Sequence, residues 1–372
     1  MKNTKHNETV VVAMSGGVDS SVAAALLHER GYRVIGVTMN LWDYERVGGN
    51  INRDSGCCSI DTMDDARAVC HKLGVPHYVV NFREQFEAAV TDNFISEYLE
   101  GRTPNPCVRC NTYIKWGVLI QKAEELGADK IATGHYARVA YHDASGRHFL
   151  KRGKDTKKDQ SYALWGIRQF GLARTLFPVG EFTKDEIRQI ARRLGLLTAE
   201  KPESQEICFI PDNDYTRYLR MKRPEIEVQL QEGEIVDQTG NRVGSHAGFP
   251  FYTIGQRKGL GISAPQPVYV TEIDAGNNRI VVGSNEDLRH AGLIADNVNW
   301  VAIEKLEGEM EVDAKIRYND PGVPSVIRPS ENGGVELRFI EPQRAVTPGQ
   351  SVVFYRGDVV VGGGVIRSYF KN

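Results

Sequence analysis

Charge of neither sign prevails in these 372 residues: 46 Lys and Arg face 48 Asp and Glu, for a formal net charge of −2. That excludes a uniformly basic nucleic-acid binder, so any positive surface has to be local. No apolar run approaches the length needed to span a bilayer. Residues 1–8 have neither the apolar core of a secretion signal nor the arginine-rich amphipathic look of a transit peptide. A soluble, cytoplasmic protein without membrane contact is expected. Internal repeats and low-complexity tails are absent as well. Cysteine is scarce, with six residues at 57, 58, 70, 107, 110 and 208. In a reducing compartment, cysteines spaced in this way suggest catalysis or metal more than structural disulfides.

What is present is globular. Hydrophobic residues at 41% and charged residues at 25% suffice for sizeable cores, and the length implies two or three domains. The most informative stretch, residues 10–21, reads V-V-V-A-M-S-G-G-V-D-S-S. Val10, Val11 and Val12 have the composition of a buried strand. Val22, Leu26 and Leu27 then recur at helical spacing until Gly31. A strand, a glycine turn and a helix aim backbone N–H groups and the positive end of a helix dipole at one point. Gly16 and Gly17 leave room for an anion, and Ser15, Ser20 and Ser21 add hydroxyls. This predicts a phosphate cradle. It lacks the lysine of the common G-x-x-x-x-G-K-[ST] loop, and Asp19 stands where a carboxylate repels phosphate. A divalent ion removes that repulsion, so Mg²⁺ is expected.

Strands are predicted over residues 33–39, 77–82 and 130–133. Between them, Met63, Ala66, Cys70 and Leu73 mark one helix face, and Phe86, Val90, Phe94 and Tyr98 another. A further helix is expected from Asn111 to Leu126, with Ile114, Val118 and Leu119 inward. Strands alternating with helices mean an α/β domain with a parallel sheet and a ligand site at its C-terminal edge. Thr183 and Glu186 read as a capping box, and the proline-bounded loop 201–211 as a domain edge. Short alternating runs at 266–273, 279–283, 311–318, 334–339 and 351–355 predict an all-β end, a small barrel. The expected division is 1–211, 212–282 for a small central domain, and 283–372.

Residues 103–111, T-P-N-P-C-V-R-C-N, are the second informative stretch. Two prolines stiffen the approach, and Cys110 is expected just before a helix, where the dipole and Arg109 acidify its thiol. That makes Cys110 a candidate nucleophile; a tight turn with two inert cysteines is the plainer reading. Cys208, beside Phe209, reads alone as core packing, as does Cys70. Cys57 and Cys58 carry no mechanism. Basic residues cluster at Lys151, Arg152, Lys154, Lys157 and Lys158, and at Arg217, Arg220, Lys222 and Arg223 with Tyr215 and Tyr218. Two such runs, one interleaved with aromatics, fit a ligand the size of tRNA.

In order, the chain carries S-G-G-V-D-S, G-R-T-P-N-P-x-x-x-C-N, A-T-G-H-Y-A, K-D-Q-S-Y and S-Q-E-I-C-F, then F-Y-T-I-G-Q-R-K-G-L-G, K-I-R-Y and T-P-G-Q. This series resembles the tRNA-uridine 2-sulfurtransferases (MnmA/TrmU family) over nearly its whole length. The resemblance implies an N-terminal adenine-nucleotide alpha-hydrolase-like domain, that is, a PP-loop ATP pyrophosphatase. It implies ATP held by Ala13, Met14, Ser15, Gly16, Gly17, Val18, Asp19 and Ser20, with Met39 and Gly134. A cysteine persulfide falls on Cys208 and its partner nucleophile on Cys110. Asn105, Pro106 and Cys107 match the base-contacting triplet, and further tRNA contacts match His135, Lys158, Asp159, Gln160, Arg317, Tyr318 and Gln350. For His135, a satisfied structural histidine is the competing reading.

Adenylation turns the poor 2-oxygen of uridine into a good leaving group, and a persulfide supplied by a sulfur-donor protein then expels AMP. Many relatives carry Asp where this chain has Cys107. Three thiols, Cys107, Cys110 and Cys208, also suggest an iron–sulfur cluster with one open iron, and the two routes stay open. Two other classes compete: an amide-forming ATP pyrophosphatase acting on a small acid, and a non-catalytic tRNA-binding protein. The first needs neither the P-N-P-x-x-x-C-N loop nor Cys208. An intact loop with both cysteines argues against the second.

Overall fold

The computed structural model describes residues 7–43, 60–202, 207–226, 230, 232–330 and 333–371. Four strands, β1 (Thr9–Ala13), β2 (Arg33–Asn40), β3 (His77–Asn81) and β4 (Lys130–Ala132), open the chain. An antiparallel hairpin of β5 (Ala137–His142) and β6 (Arg147–Arg152) follows, and then β7 (Thr175–Leu176). The five strands other than the hairpin form one parallel sheet in the order β3-β2-β1-β4-β7. The strand valines show why β1 is central. Val11 packs into the apolar cluster on one face and Val10 and Val12 into that on the other, so strand alternation feeds two cores. Helices α1 (Val18–Glu29) and α2 (Ile60–Leu73) cover one face together with the helix Lys184–Arg193. The opposite face carries the continuous helical run Arg83–Phe86, Glu87–Thr91, Asp92–Leu99 and the helix Tyr215–Lys222. Phe86, Val90, Phe94 and Tyr98 are buried there, as their spacing predicts.

From β1 the chain builds outward through β2 to β3, then crosses back to lay β4 on the other side of β1. Strand order therefore reverses between β1 and β4. Ligand crevices of open α/β sheets sit at such a reversal, beyond the strands' C-terminal ends.

Strands β8 (Gly233–Val236), β9 (Arg242–His246), β10 (Tyr269–Asp274) and β11 (Arg279–Gly283) make a second sheet, ordered β10-β11-β8-β9, around Ile235, Val270 and Ile280. The last six are β12 (Arg289–Trp300), β13 (Met310–Lys315), β14 (Val323–Pro329), β15 (Val335–Arg344), β16 (Ser351–Arg356) and β17 (Val359–Phe370). They run β12-β15-β14-β13-β16-β17, and β17 pairs back with β12 to close a barrel. Gly292 lies at that seam, where a Cβ would stand 2.2 Å from the Phe370 ring.

The hairpin β5–β6 departs from the sequence expectation, which saw only basic residues in it. Its strands lack a continuous apolar face. Lys151 pairs with Val359 of β17, and Leu150 is buried in the first domain's core, so its place is set by tertiary contact.

Trp116 ties the helical layer to the sheet: its indole Nε1 donates to Thr175 Oγ1 at 2.6 Å, and that hydroxyl donates to the Gly171 carbonyl. Thr175→Val keeps the shape and orphans a buried donor. We expect a loss of about 1–3 kcal/mol of stability, read from urea unfolding.

Candidate nucleotide and thiol site

Gly17 caps α1 with extended backbone and no side-chain cap, which leaves the first N–H groups of the helix pointing outward. Gly16 adopts φ 67°, and a Cβ there would meet the Thr62 carbonyl oxygen at 2.2 Å. Inside the turn, Ser15 N donates to Ser20 Oγ, whose hydroxyl hydrogen goes to the Gly17 carbonyl together with that of Ser21. Ala13, Met14 and Val18 have buried side chains, so only their backbone can face a ligand. Met39 lies near the C-terminal end of β2. Gly134, just past β4, presses against the loop: a Cβ would stand 2.6 Å from Ser20 N. The loop residues and Gly134 thus meet where the strand order reverses.

Asp19 corrects the sequence reading. Lys184 Nζ lies 2.8 Å from both its carboxylate oxygens, and the Tyr136 hydroxyl donates to Oδ1 at 2.7 Å. Lys184 opens its helix inside the Thr183–Glu186 capping box, directly after the Thr183 N-cap, which fixes where that ammonium starts. The loop lysine missing from the local sequence is supplied from residue 184, so the repulsion that called for Mg²⁺ is already neutralised. Among the described residues no group of three or more His, Cys, Asp or Glu is arranged to hold a metal. Asp19 is the one carboxylate of the loop, so a Mg²⁺ here would take most of its ligands from nucleotide phosphates and water.

The helix bearing the cysteines begins earlier than expected. Asn105 Oδ1 accepts from Val108 N, Pro106 occupies the first turn, and helical segments Pro106–Arg109, Cys110–Val118 (π-helical) and Leu119–Glu125 follow in succession. The first-turn thiol is therefore Cys107, which is exposed, whereas Cys110 sits a turn deeper and is buried. The dipole argument made for Cys110 falls on Cys107 instead. Arg109 does not turn to Cys110 either; its Nε donates to the Ala89 carbonyl and its guanidinium lies over the Tyr113 ring. Cys208 is partly buried and packs on the same apolar cluster that contains Cys110, Phe86 and Phe209. Cys107, Cys110 and Cys208 do not converge as a metal site, so the three-thiolate cluster has no built donor set. Cys57, Cys58 and the Gln205–Glu206 pair lie outside the described residues. Cys70 sits under the sheet's other face, where burial pushes its thiol up to about 11.

The barrel holds the Pro-Asn-Pro loop. Thr103 N donates to the Pro348 carbonyl at 2.9 Å, and Gln350 Nε2 donates to the Pro104 carbonyl at 3.1 Å. Gln350, matched to tRNA in the sequence, is here a brace between domains. Asp159 is buried, accepting from Gly153 N, Ser161 N and Ser161 Oγ. Gln160 exchanges hydrogen bonds with the backbone of Tyr136. Arg317 donates to the Ala345 carbonyl, while Tyr318 is exposed. His135 Nδ1 meets Thr133 Oγ1 at 2.7 Å and its Nε2 meets Lys115 Nζ at 3.4 Å. Burial and the lysine hold its pKa well below the usual imidazole value.

The second basic run is not a stacking surface. Tyr218 is buried, Tyr215 stacks on Tyr98 at 4.6 Å, and Arg220 lies over Phe251. In the first run Lys151 pairs with Asp358, Arg152 with Asp159 and Lys154 with Glu186. Sequence reasoning missed Lys184, Tyr136 and Lys115. Tyr136 was inside the A-T-G-H-Y-A motif, but nothing local linked residues 19 and 184.

Three family models match: the tRNA methyl transferase HUP domain over residues 8–212, the tRNA methyl transferase PRC-barrel domain over 225–284, and the aminomethyltransferase beta-barrel domain over 290–366. A protein of Heliobacterium modesticaldum named tRNA-specific 2-thiouridylase MnmA is 56% identical, covering 96% of this chain and 92% of its own length. One of the same name from Amoebophilus asiaticus is 50% identical over 98% of this chain and 96% of its own. The chain belongs to the tRNA-specific 2-thiouridylase family. Its members are tRNA sulfurtransferases. A solved 4-thiouridine synthetase–RNA complex with bound ATP aligns with a TM-score of 0.34 at 18% identity, over 59% of this chain and 52% of that one, too loosely to carry an argument.

In this 2-thiouridylase-family site, Lys184→Met removes the counter-charge of Asp19. ATP affinity should fall at least about tenfold, measured by isothermal titration, because an unpaired carboxylate then faces the phosphates. Separately, iodoacetamide at pH 8 should alkylate exposed Cys107 and leave Cys70 unlabelled, as peptide mass spectrometry would read.

Proposed function

We propose that this chain uses ATP to replace the 2-oxygen of the wobble uridine of tRNA with sulfur. The observation that carries the reading is the route between thiol helix and phosphate loop. The helix of Cys110 reaches His135 through Lys115, and Gly134 beside it packs against Asp19–Ser20. ATP enters with its own Mg²⁺ as substrate, its phosphates on the loop Ala13–Ser20 at the N-terminus of α1. The uridine O2 attacks the α-phosphorus, and pyrophosphate departs with the bond's electron pair. Asn105, Pro106 and Cys107 flank the base, with Arg317, Lys158 and exposed Tyr318 contacting tRNA farther out.

A sulfur-donor protein, a cysteine desulfurase or a relay, leaves a persulfide on Cys208. Its terminal sulfur attacks C2, and AMP leaves with the former 2-oxygen. Cys110 then attacks Cys208 Sγ, breaking the S–S bond, leaving sulfur on the base and forming a Cys110–Cys208 disulfide. A thiol reductant resets the pair. The persulfide route asks for two meeting thiols where the cluster asks for three, and among the described residues no three-ligand group is arranged to hold a metal. The two thiols have to approach each other, so movement of the chain around Cys208 belongs to the cycle. A reducing cytoplasm suits these thiols.

With radiolabelled ATP, AMP release should depend on tRNA; release driven instead by small amino acids would indicate an amide synthetase. Cys110→Ser and Cys208→Ser should each abolish 2-thiouridine while ATP still binds. Protein purified without oxygen should be iron-free and active with a sulfur donor, whereas stoichiometric iron lost in Cys107→Ala would overturn the persulfide route.

A further inference from the structure

Lys115 is a half-buried cation in hydrogen-bond contact with a neutral ring. Its Nζ lies 3.4 Å from His135 Nε2, and among the described residues no carboxylate pairs with it. His135 is built to receive it. With Thr133 Oγ1 at 2.7 Å from Nδ1, the ring donates through Nδ1 and accepts through Nε2, an assignment made from the hydrogen-bond network. Trp116 at 5.8 Å and Phe177 at 6.1 Å between ring centroids hold the imidazole in place. One of the three ammonium donors goes to His135, which leaves two for a ligand.

Position identifies the ligand. Thr133, Gly134 and His135 follow β4 at the sheet's C-terminal edge, and Gly134 touches the backbone of Asp19 and Ser20. Lys115 also lies in the π-helical stretch that begins at Cys110, where hydrogen bonds run from i to i+5. It therefore stands about one turn from that thiol, on nearly the same side. An ammonium with no carboxylate partner among the described residues, set between a phosphate loop and a thiol, is matched by the phosphate that joins nucleotide to base. Lys184 differs, because its charge is already spent on Asp19.

Resting on the adenylation reading above, we propose that Lys115 is a catalytic residue that donates to the α-phosphoryl oxygens of ATP, and that His135 is the residue that positions it. As the uridine O2–phosphorus bond forms and the bond to pyrophosphate breaks, charge spreads over the equatorial oxygens of the α-phosphorus. A preorganised cation there acts mainly in the transition state.

The test is tRNA-dependent pyrophosphate release at saturating ATP and tRNA. Lys115→Met should slow it about 10²–10³-fold, with the ATP dissociation constant within about threefold of wild type. Lys115→Arg should recover at least about tenfold over the methionine variant. His135→Gln should lower kcat with KM for tRNA unchanged; a raised KM for tRNA at unchanged kcat would mean that His135 contacts RNA instead, and would overturn its positioning role. Equal rates in wild type and Lys115→Met, or an arginine variant no faster than the methionine one, would overturn the role of Lys115. Failure of the adenylation reading looks different: wild type itself would then release no pyrophosphate in response to tRNA.

Discussion

The Lys184–Asp19 ion pair is the constraint on which the site's arrangement depends. It joins the first turn of α1 to a helix 165 residues further along the chain. Lys184 is buried and Asp19 partly so, and desolvating two charges offsets much of their attraction. Such a pair is a poor device for stability alone and a good one for holding a carboxylate still beside an anion site. Tyr136 adds a second donor to the same carboxylate, and its backbone is held by Gln160. Residues that the motif order matched to tRNA thus contribute to the stiffness of the nucleotide end.

A second brace works from the barrel. Pro348 and Gln350 hold Thr103 and Pro104, so the entry to the cysteine helix is tied to a domain formed more than two hundred residues later. Beneath that loop the Tyr162 hydroxyl donates to the Ser351 carbonyl, Ser161 meets the Tyr355 hydroxyl, and Arg152 lies over the Tyr355 ring. Burial pushes both tyrosine hydroxyls far above their usual range, so they stay protonated and act as fixed donors or acceptors. Closing the barrel through β12 and β17 is what gives this brace a rigid base.

Much of the architecture was legible from short-range pattern. The valines of β1, the apolar face Phe86–Val90–Phe94–Tyr98 and the Thr183–Glu186 capping box each state their structure within a few residues. Turn-separated alternating runs announced the barrel, though not its closure. Two readings failed for related reasons. Tyr215 and Tyr218 interleave with arginines in the sequence, yet helical periodicity turns Tyr218 into the core. Cys110 follows two prolines, but Asn105 captures the helix start and moves Cys110 inward by a turn. The counter-charge of Asp19 escaped notice for a like reason, because the lysine that supplies it is remote in the chain.

Local rules therefore determined which segments are strand, helix or turn, since propensity, capping and hydrophobic period act over distances of a few residues. They also determined that the Ser15–Ser20 turn would present outward-pointing helix N–H groups, because that geometry is a property of consecutive backbone. Which ammonium meets Asp19, which carbonyls Gln350 holds and which ring orients Lys115 were decided by tertiary structure alone. Those contacts join residues far apart in the chain, and nothing short of packing the domains together brings their charges and dipoles within hydrogen-bonding distance.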